Sequence, residues 1–519
     1  MPLMKYEKYR EMEKTVVIIG GGLGGLTTAC LLCKEGYRVT VLEKHTVAGG
    51  GLHMFKRKGV RYETGIHYIS GFQPGGVLRK FYSYLGIFDQ LKIKPLDPEA
   101  FDRVYVKSEN KSYPIGKGKE HFIAGWAKLF PEEKDNIRLY TEALYAVADR
   151  FYLCNMRLPD QGRTDLYQDE TIIRPVGEFI ARYIRDPRLQ NLLAWNNALY
   201  AGKYDTTPLY VHAIINRLFI EGASRFVGGS QQLADAMCAL IRKHGGEVIC
   251  GDGVREIATR DREVQYVVTE KGKRYKALQY ISALHPFTTL NLIDPAQFTK
   301  AYRNRIQSMP NTYSAFILFA KVRKNTFPYL NSNIYCTDDY DQIWKVGNYK
   351  PEEWPMGMMV MTPPESESEE KYAEKIIVNC LMNFEDVRLW ENTTTGQRGK
   401  DYESFKKACE ERVLCKLEGY FPGICGQIEH YFSATPLTIR DYTGSKEGAL
   451  YGYVKDFRAL EQSHISPYTK VKNLLLTGQN LNLHGILGVP LNAMITVASM
   501  IGGIESLIEK INGADRHTH

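Results

Sequence analysis

The chain has 519 residues, 44% of them apolar and 24% charged, with a formal net charge of +8. That is the composition of a globular protein with room for about three domains, or fewer if its segments interleave. No run of Lys and Arg is long enough for a nucleic-acid patch, and no stretch supplies the roughly twenty uninterrupted apolar residues of a spanning helix.

The first residues, MPLMKYEKYREMEK, are charged and lack the apolar core of a signal peptide. The ten cysteines are scattered. Neither a second CxxC at zinc spacing nor an HExxH occurs, so no metal site is expected. Free thiols suit a reducing compartment. A cytoplasmic protein, or one held at a membrane surface, is expected. Cys30 and Cys33 form a CxxC on a predicted helix, where packing against a sheet is the favoured reading over redox chemistry.

The stretch Thr15–Lys44 reads as strand, glycine turn, helix, strand and acid. An apolar run, Val16 to Ile19, leads into Gly20-Gly21-Gly22-Leu23-Gly24-Gly25. Gly20 allows a tight turn, Gly22 lets the backbone approach a pyrophosphate, and Gly25 lets helix and strand pack closely. The helix from Leu26 presents free N–H groups and a partial positive charge to the phosphates. Arg38–Leu42 is the second strand, and Glu43 at its end is placed to accept from a ribose hydroxyl. This combination predicts dinucleotide binding.

A second glycine cluster follows, Gly49-Gly50-Gly51, and then GVRYETGIHYISG from Gly59 to Gly71. Glu63, His67 and Tyr68 are its polar groups, and His67 is as readily structural as facing a ligand. From about Val77 to Val211 the chain reads as mostly helical and aromatic. Core helices are the plain reading, and the wall of an apolar pocket is the functional one. Phe226-Val227-Gly228-Gly229-Ser230 then enters an amphipathic helix that Ser230 could cap. Alternating strands follow to Tyr280–Ala283, where the chain can return to the first sheet. Ser314–Val322 is a strand, and Pro363–Lys375 is an acidic loop expected to enter a helix. Asn473–Thr477 is a short buried strand, followed by a glycine loop and a long apolar helix, a second helix N-terminus suited to an anion.

These residues carry a family resemblance. The glycine turn, ETGIHYI at Glu63–Ile69, FVGGSQQLADAM at Phe226–Met237, ATPLTIRDYTGSKEGALYGY at Ala434–Tyr453 and NLLLTGQNLNLHGILGV at Asn473–Val489 resemble the two-domain flavoproteins. That group includes phytoene desaturases, carotenoid cis–trans isomerases and retinol saturases, and the retinol-saturase-like branch is the most similar. The resemblance implies an α/β fold: a Rossmann-type FAD-binding domain of the GR2 kind with an interleaved α+β substrate-binding domain. It implies a discontinuous FAD-binding domain over 1–76, 225–290 and 465–519, with 77–224 and 291–464 binding substrate.

It further implies FAD on Gly20, Gly22, Leu23, Gly24 and Gly25, with Glu43 and Lys44 on the adenosine side. Gly49, Gly50, Gly51 and His67 would lie along the cofactor, and Val254 would contact the adenine side through its backbone. Gly478, Gln479, Gly488 and Val489 would close over the ribityl chain and flavin. No second GxGxxG occurs, so NAD(P)H would act only as an external electron donor. The chemistry implied is reduction of one C=C bond of an apolar polyene or isoprenoid lipid, which needs a hydride and a proton donor. His67, Tyr68 and His484 are the catalytic candidates. A redox-neutral cis–trans isomerase using reduced FAD and a flavin-bearing lipid carrier without turnover are the competing readings. A lipid substrate also implies peripheral membrane contact. The resemblance leaves the oligomeric state open.

Overall fold

The computed structural model describes residues 14–158, 169–368 and 370–515. The charged N-terminal segment 1–13 lies outside them. Thr15–Ile19, Arg38–Leu42, Glu247–Ile249, Gln279–Ser282 and Leu474–Leu476 form one parallel sheet. The strand Thr15–Ile19 lies at its centre, between Arg38–Leu42 and Gln279–Ser282. Glu247–Ile249 and Leu474–Leu476 close the two edges. The five strands therefore come from three separated stretches of chain. Their near-continuous apolar sequences follow from burial on both faces. The helix Leu23–Lys34 covers one face, and its whole stretch from Gly24 to Cys33 is buried. Cys30 and Cys33 pack there: Cys30 Sγ donates to the Met237 carbonyl at 3.5 Å, and burial pushes the Cys33 thiol up to about 11. All ten cysteines are free.

The second large sheet has seven strands, in the order Ile428–Ala434, Ser314–Val322, Lys375–Met382, Gly357–Met361, Asn333–Thr337, Asp102–Val106 and Lys111–Ile115. All pairs are antiparallel except Asn333–Thr337 with Asp102–Val106. Sheets and helices together make the α/β Rossmann-type architecture with its α+β partner.

Three local expectations are corrected. The span 77–211 is not helical throughout, because Asp102–Val106 and Lys111–Ile115 form a hairpin. Val104, Val106, Tyr113 and Ile115 bury one face with a period of two, between helices whose longer patterns dominate the segment. The acidic loop enters a strand, Lys375–Met382, rather than a helix. Its β-branched run sits mid-sheet between Ser314–Val322 and Gly357–Met361. Ser230 precedes the helix Gln231–Lys243 but makes no side-chain cap, because its hydroxyl donates to the Leu52 carbonyl at 3.0 Å.

Candidate active site

The glycine turn is built by close backbone approach. A Cβ on Gly25 would lie 1.9 Å from the Gly20 carbonyl oxygen, and one on Gly24 would lie 2.9 Å from Gly478 Cα. Only glycine lets the helix start rest on both the first strand and the loop after the last one. Gly22 caps the helix Leu23–Lys34 with no side-chain hydrogen bond to its first-turn N–H groups. The second cluster folds onto this turn: Gly22 and Gly49 form an isolated bridge, and the Gly49 N–H donates to the Gly21 carbonyl at 2.8 Å.

Glu43 is buried beside the turn, at 7% exposure. Its Oε2 accepts from the Gly21 N–H at 2.7 Å and its Oε1 from the His45 N–H at 2.9 Å. Each oxygen keeps a second lone pair for a ligand hydroxyl. The Asp252 N–H donates to the Glu43 carbonyl at 3.1 Å, and a Cβ on Gly253 would lie 2.9 Å from Lys44 Cβ. That brings the start of the strand Val254–Arg260 alongside Glu43 and Lys44. Lys44 Nζ itself donates to the Asp441 carbonyl at 2.8 Å.

A cavity of about 630 Å³ extends from this turn into the space between the two sheets. Gly22, Leu23, Gly24, Gly50 and Gly51 line it at one side, and Gly478, Gln479, Gly488 and Val489 at another. Gly20, Gly25, Glu43, Lys44, Gly49 and Val254 are not on its wall. The loop from Gly478 is held by Asn492, whose Nδ2 donates to the Gly478 carbonyl at 2.9 Å and the Leu483 carbonyl at 2.6 Å. It leads into the helix Gly485–Ile501, capped by His484 with no side-chain bond. Two anion-ready helix N-termini therefore meet in one cavity. Asn480 Oδ1 and Asn482 Oδ1, both in its wall, are buried without a hydrogen-bond partner among the described residues. Together, the close glycine cradle, the unused helix N-termini and these orphaned acceptors fit a bound dinucleotide.

Much of the remaining wall is apolar. Phe55, Phe319 and Phe432 form one side, with Phe319 and Phe432 stacked at 5.1 Å. The helix Leu209–Glu221 contributes Val211, Ile214, Ile215, Leu218 and Phe219.

All three candidate catalytic residues reach the cavity. His67 is 7% exposed; its Nδ1 lies 3.7 Å from Glu63 Oε2, and both atoms lack a hydrogen-bond partner among the described residues. The Tyr68 hydroxyl lies 2.7 Å from the Tyr335 hydroxyl and donates to Asp102 Oδ2 at 3.4 Å. Asp102 also accepts from Trp195 Nε1 at 3.0 Å and from Asn333 Nδ2 at 2.7 Å. Burial pushes the Asp102 carboxyl up to about 6, against those hydrogen bonds. His484 places Nε2 at 3.2 Å from the Leu199 carbonyl and its ring 4.8 Å from that of Tyr451. Burial, and behind it the Lys455 charge, pushes the His484 imidazole down to about 4.

Sequence reasoning missed Asp102 and Lys455. Lys455 lines the cavity, keeps part of its surface open and donates from Nζ to the Ser463 carbonyl at 2.8 Å. Burial pushes its ammonium down to about 7. Neither residue sits in a motif, although Lys455 directly follows the YGYV that carries part of the resemblance.

Residues 23–383 match the family model described as flavin containing amine oxidoreductase. The chain is 26% identical over 525 residues to all-trans-retinol 13,14-reductase of Rattus norvegicus, covering 93% of this chain and 85% of that one. It is 24% identical to prolycopene isomerase 1, chloroplastic, of an Oncidium hybrid cultivar, covering 85% and 75%. Among solved structures, an oxidoreductase from Methanosarcina mazei superposes with a TM-score of 0.64 at 18% identity, covering 93% of this chain and 99% of that chain.

Proposed function

Because the chain belongs to the flavin-containing amine oxidoreductase family, and so is an oxidoreductase with FAD as its cofactor, we propose that it reduces one C=C bond of a polyene or isoprenoid lipid. The observation that carries this reading is the cavity of about 630 Å³, whose glycine-lined side continues into an aromatic and aliphatic wall. An elongated apolar molecule is the substrate that such a wall would bury best. The retinol reductase and the prolycopene isomerase both have names that point to polyenes.

We read the residue roles as follows. Gly20, Gly22, Leu23, Gly24 and Gly25 hold the pyrophosphate, and Glu43 accepts from the ribose. Lys44 and the Val254 backbone border the adenine. Gly49, Gly50 and Gly51 run along the cofactor, while Gly478, Gln479, Gly488 and Val489 enclose its flavin end. When bound, FAD supplies hydride chemistry at its N5. The apolar wall orients the lipid and keeps water away. His67, Tyr68 and His484 are the polar groups we set beside the reacting carbons. The units 1–76, 225–290 and 465–519, and 77–224 with 291–464, are the cofactor-binding and substrate-binding parts in this reading.

A lipid has almost no free aqueous concentration, so we place the protein at a membrane surface, on the cytoplasmic side, with NAD(P)H as an external reductant. Among the described residues no single helix is long and apolar enough to cross a membrane. A second cavity, of about 510 Å³, shares Ile214, Leu218 and Leu487 with the first and is also lined by Lys80, Arg157 and Arg217. Its wall mixes polar and apolar groups, Glu221 among them, and Arg157 and Arg217 are paired there with Asp149.

A second reading, a redox-neutral isomerase, is favoured by the similarity to prolycopene isomerase. One anaerobic experiment tests both. The FAD-loaded protein is reduced, mixed with all-trans-retinol or a carotenoid, and followed by the flavin band while the lipids are separated. Reoxidation with loss of one double bond is the expected result. Cis–trans interconversion with the flavin still reduced identifies the isomerase. Tight binding with neither change identifies a carrier and overturns both enzymatic readings.

A further inference from the structure

Saturating a C=C bond requires a proton as well as a hydride, and the polar groups of the cavity are not equally able to give one. A carbonyl can only accept, so His484 Nε2 carries the hydrogen that points at the Leu199 carbonyl. With the ring neutral near pH 7, Nδ1 is left with a lone pair and no proton. Tyr68 has one hydrogen, and the Tyr335 hydroxyl at 2.7 Å and Asp102 Oδ2 at 3.4 Å compete for it. His67 Nδ1 faces the Glu63 carboxylate at 3.7 Å.

Lys455 differs. An ammonium has three N–H groups, and Nζ has one hydrogen-bond partner among the described residues, the Ser463 carbonyl. Lys455 makes no ion pair among the described residues. Its titratable neighbour is His484 on the C-terminal loop, and Tyr451 on its own segment lines the same cavity. Next in sequence, Asp456 is turned away onto Arg458, with Nε at 2.9 Å and Nη2 at 2.5 Å, and its other charged neighbour is Lys203. Asn480 Oδ1 and Asn482 Oδ1, orphaned among the described residues, line the same cavity as Lys455.

We propose that Lys455 is the proton donor of the reduction. The proposal rests on the reductase reading above. A reduced flavin, when bound, would supply hydride to one carbon, and Lys455 Nζ would pass a proton to the other. One C=C π bond, one Lys455 N–H bond and the bond that held the hydride on the reduced cofactor would break, two C–H bonds would form, and the cofactor would be left oxidised by two electrons. The two electrons arrive with the hydride, and the amine left behind recovers its proton from water. A lysine held near neutrality by burial suits this, since general acids work best when their pKa lies near the working pH. An isomerase returns its electrons and needs no net proton, so the same residue separates the two readings.

The test uses FAD-loaded parent, Lys455→Met and Lys455→Arg, reduced anaerobically and mixed with all-trans-retinol across pH. The parent should reoxidise fastest below about 7, where the ammonium is present, and more slowly above it. Lys455→Met should keep its FAD, reoxidise about 10²-fold or more slowly, and lose that pH limb. If Lys455→Met does not retain FAD, Lys455→Arg decides: it keeps the charge, but releases no proton in this range. It should therefore be slow with a flat profile.

Thermal midpoints give a readout independent of turnover. A lysine whose folded pKa is lowered binds fewer protons folded than unfolded, so stability rises with pH from about 7 to 10.5. Lys455→Met should be more stable than the parent at neutral pH and converge with it towards pH 10.5. Parent-like rate and pH profile in either FAD-loaded variant overturns the proposal alone. A gap in thermal midpoint that does not change with pH does the same. A parent flavin that no polyene reoxidises removes the reductase reading, and this proposal with it.

Discussion

Glu43 already holds two backbone N–H groups, from Gly21 and His45, without the ribose proposed for it. Its side chain is therefore fixed in place, and a ligand need not order it. Glu43→Ala removes both acceptors and, with them, the proposed ribose contact. The expected result is a lower flavin-to-protein absorbance ratio after purification, with far-UV circular dichroism unchanged. A fully flavinated variant would remove Glu43 from the cofactor site. The position of this residue was legible because strand, turn, helix and acid occur in one short stretch. Lys455 and Asp102 were not legible in the same way. What distinguishes them is burial against residues distant in sequence, such as Asn333 for Asp102, and an isolated Lys or Asp ordinarily reads as surface.

At the scale of elements, the site depends on how closely two helix starts and one loop approach. Gly24 belongs to the first helix and Gly478 to the loop after the last strand of the parallel sheet. A methyl on Gly24 would meet Gly478 Cα at 2.9 Å, backbone against backbone, so neither side yields cheaply. Gly24→Ala should therefore push the Gly478 loop off the helix start. The expected cost is about 1–3 kcal/mol in urea unfolding, the usual range for overpacking, together with weaker FAD retention. Unchanged stability and flavin content would mean that the loop moves freely. The glycine pattern pointed to close packing here, but it could not show which backbone lies opposite, because Gly478 is distant in sequence. The same limit explains why the hairpin does not stand out within a span that reads as mostly helical. Its two short strands gain their partner, Asn333–Thr337, only from far along the chain.

Across the whole molecule, the seven-stranded sheet and the strand Ala223–Phe226 are joined by a buried polar bridge. The parallel register sets Asn333 opposite Asp102. Asn333 Nδ2 donates to Asp102 Oδ1 at 2.7 Å, while its Oδ1 accepts from Arg225 Nη2 at 2.6 Å. One amide thus links a buried carboxyl to a buried guanidinium that also donates to the Leu330, Thr362 and Ser332 carbonyls. The carboxyl in turn holds Tyr68 at the cavity. Burial raises Asp102 from 3.8 to about 6, so the folded chain binds a proton that the unfolded chain has released. The stability this contributes is complete below 3.8 and is lost as pH rises through about 6. Asp102→Asn deletes that contribution. It also turns an amide N–H₂ towards the donors on Asn333, Trp195 or Tyr68, so the variant should be less stable throughout, by about 1–3 kcal/mol for the buried mismatch. The deficit should be larger near pH 4 than near pH 7, because only the parent loses stability as Asp102 ionises between 3.8 and about 6. Urea unfolding of both proteins at the two pH values measures this directly. A deficit that does not change with pH would mean that Asp102 is already ionised at the acid end, and that the bridge to Arg225 stabilises its charge more than burial opposes it.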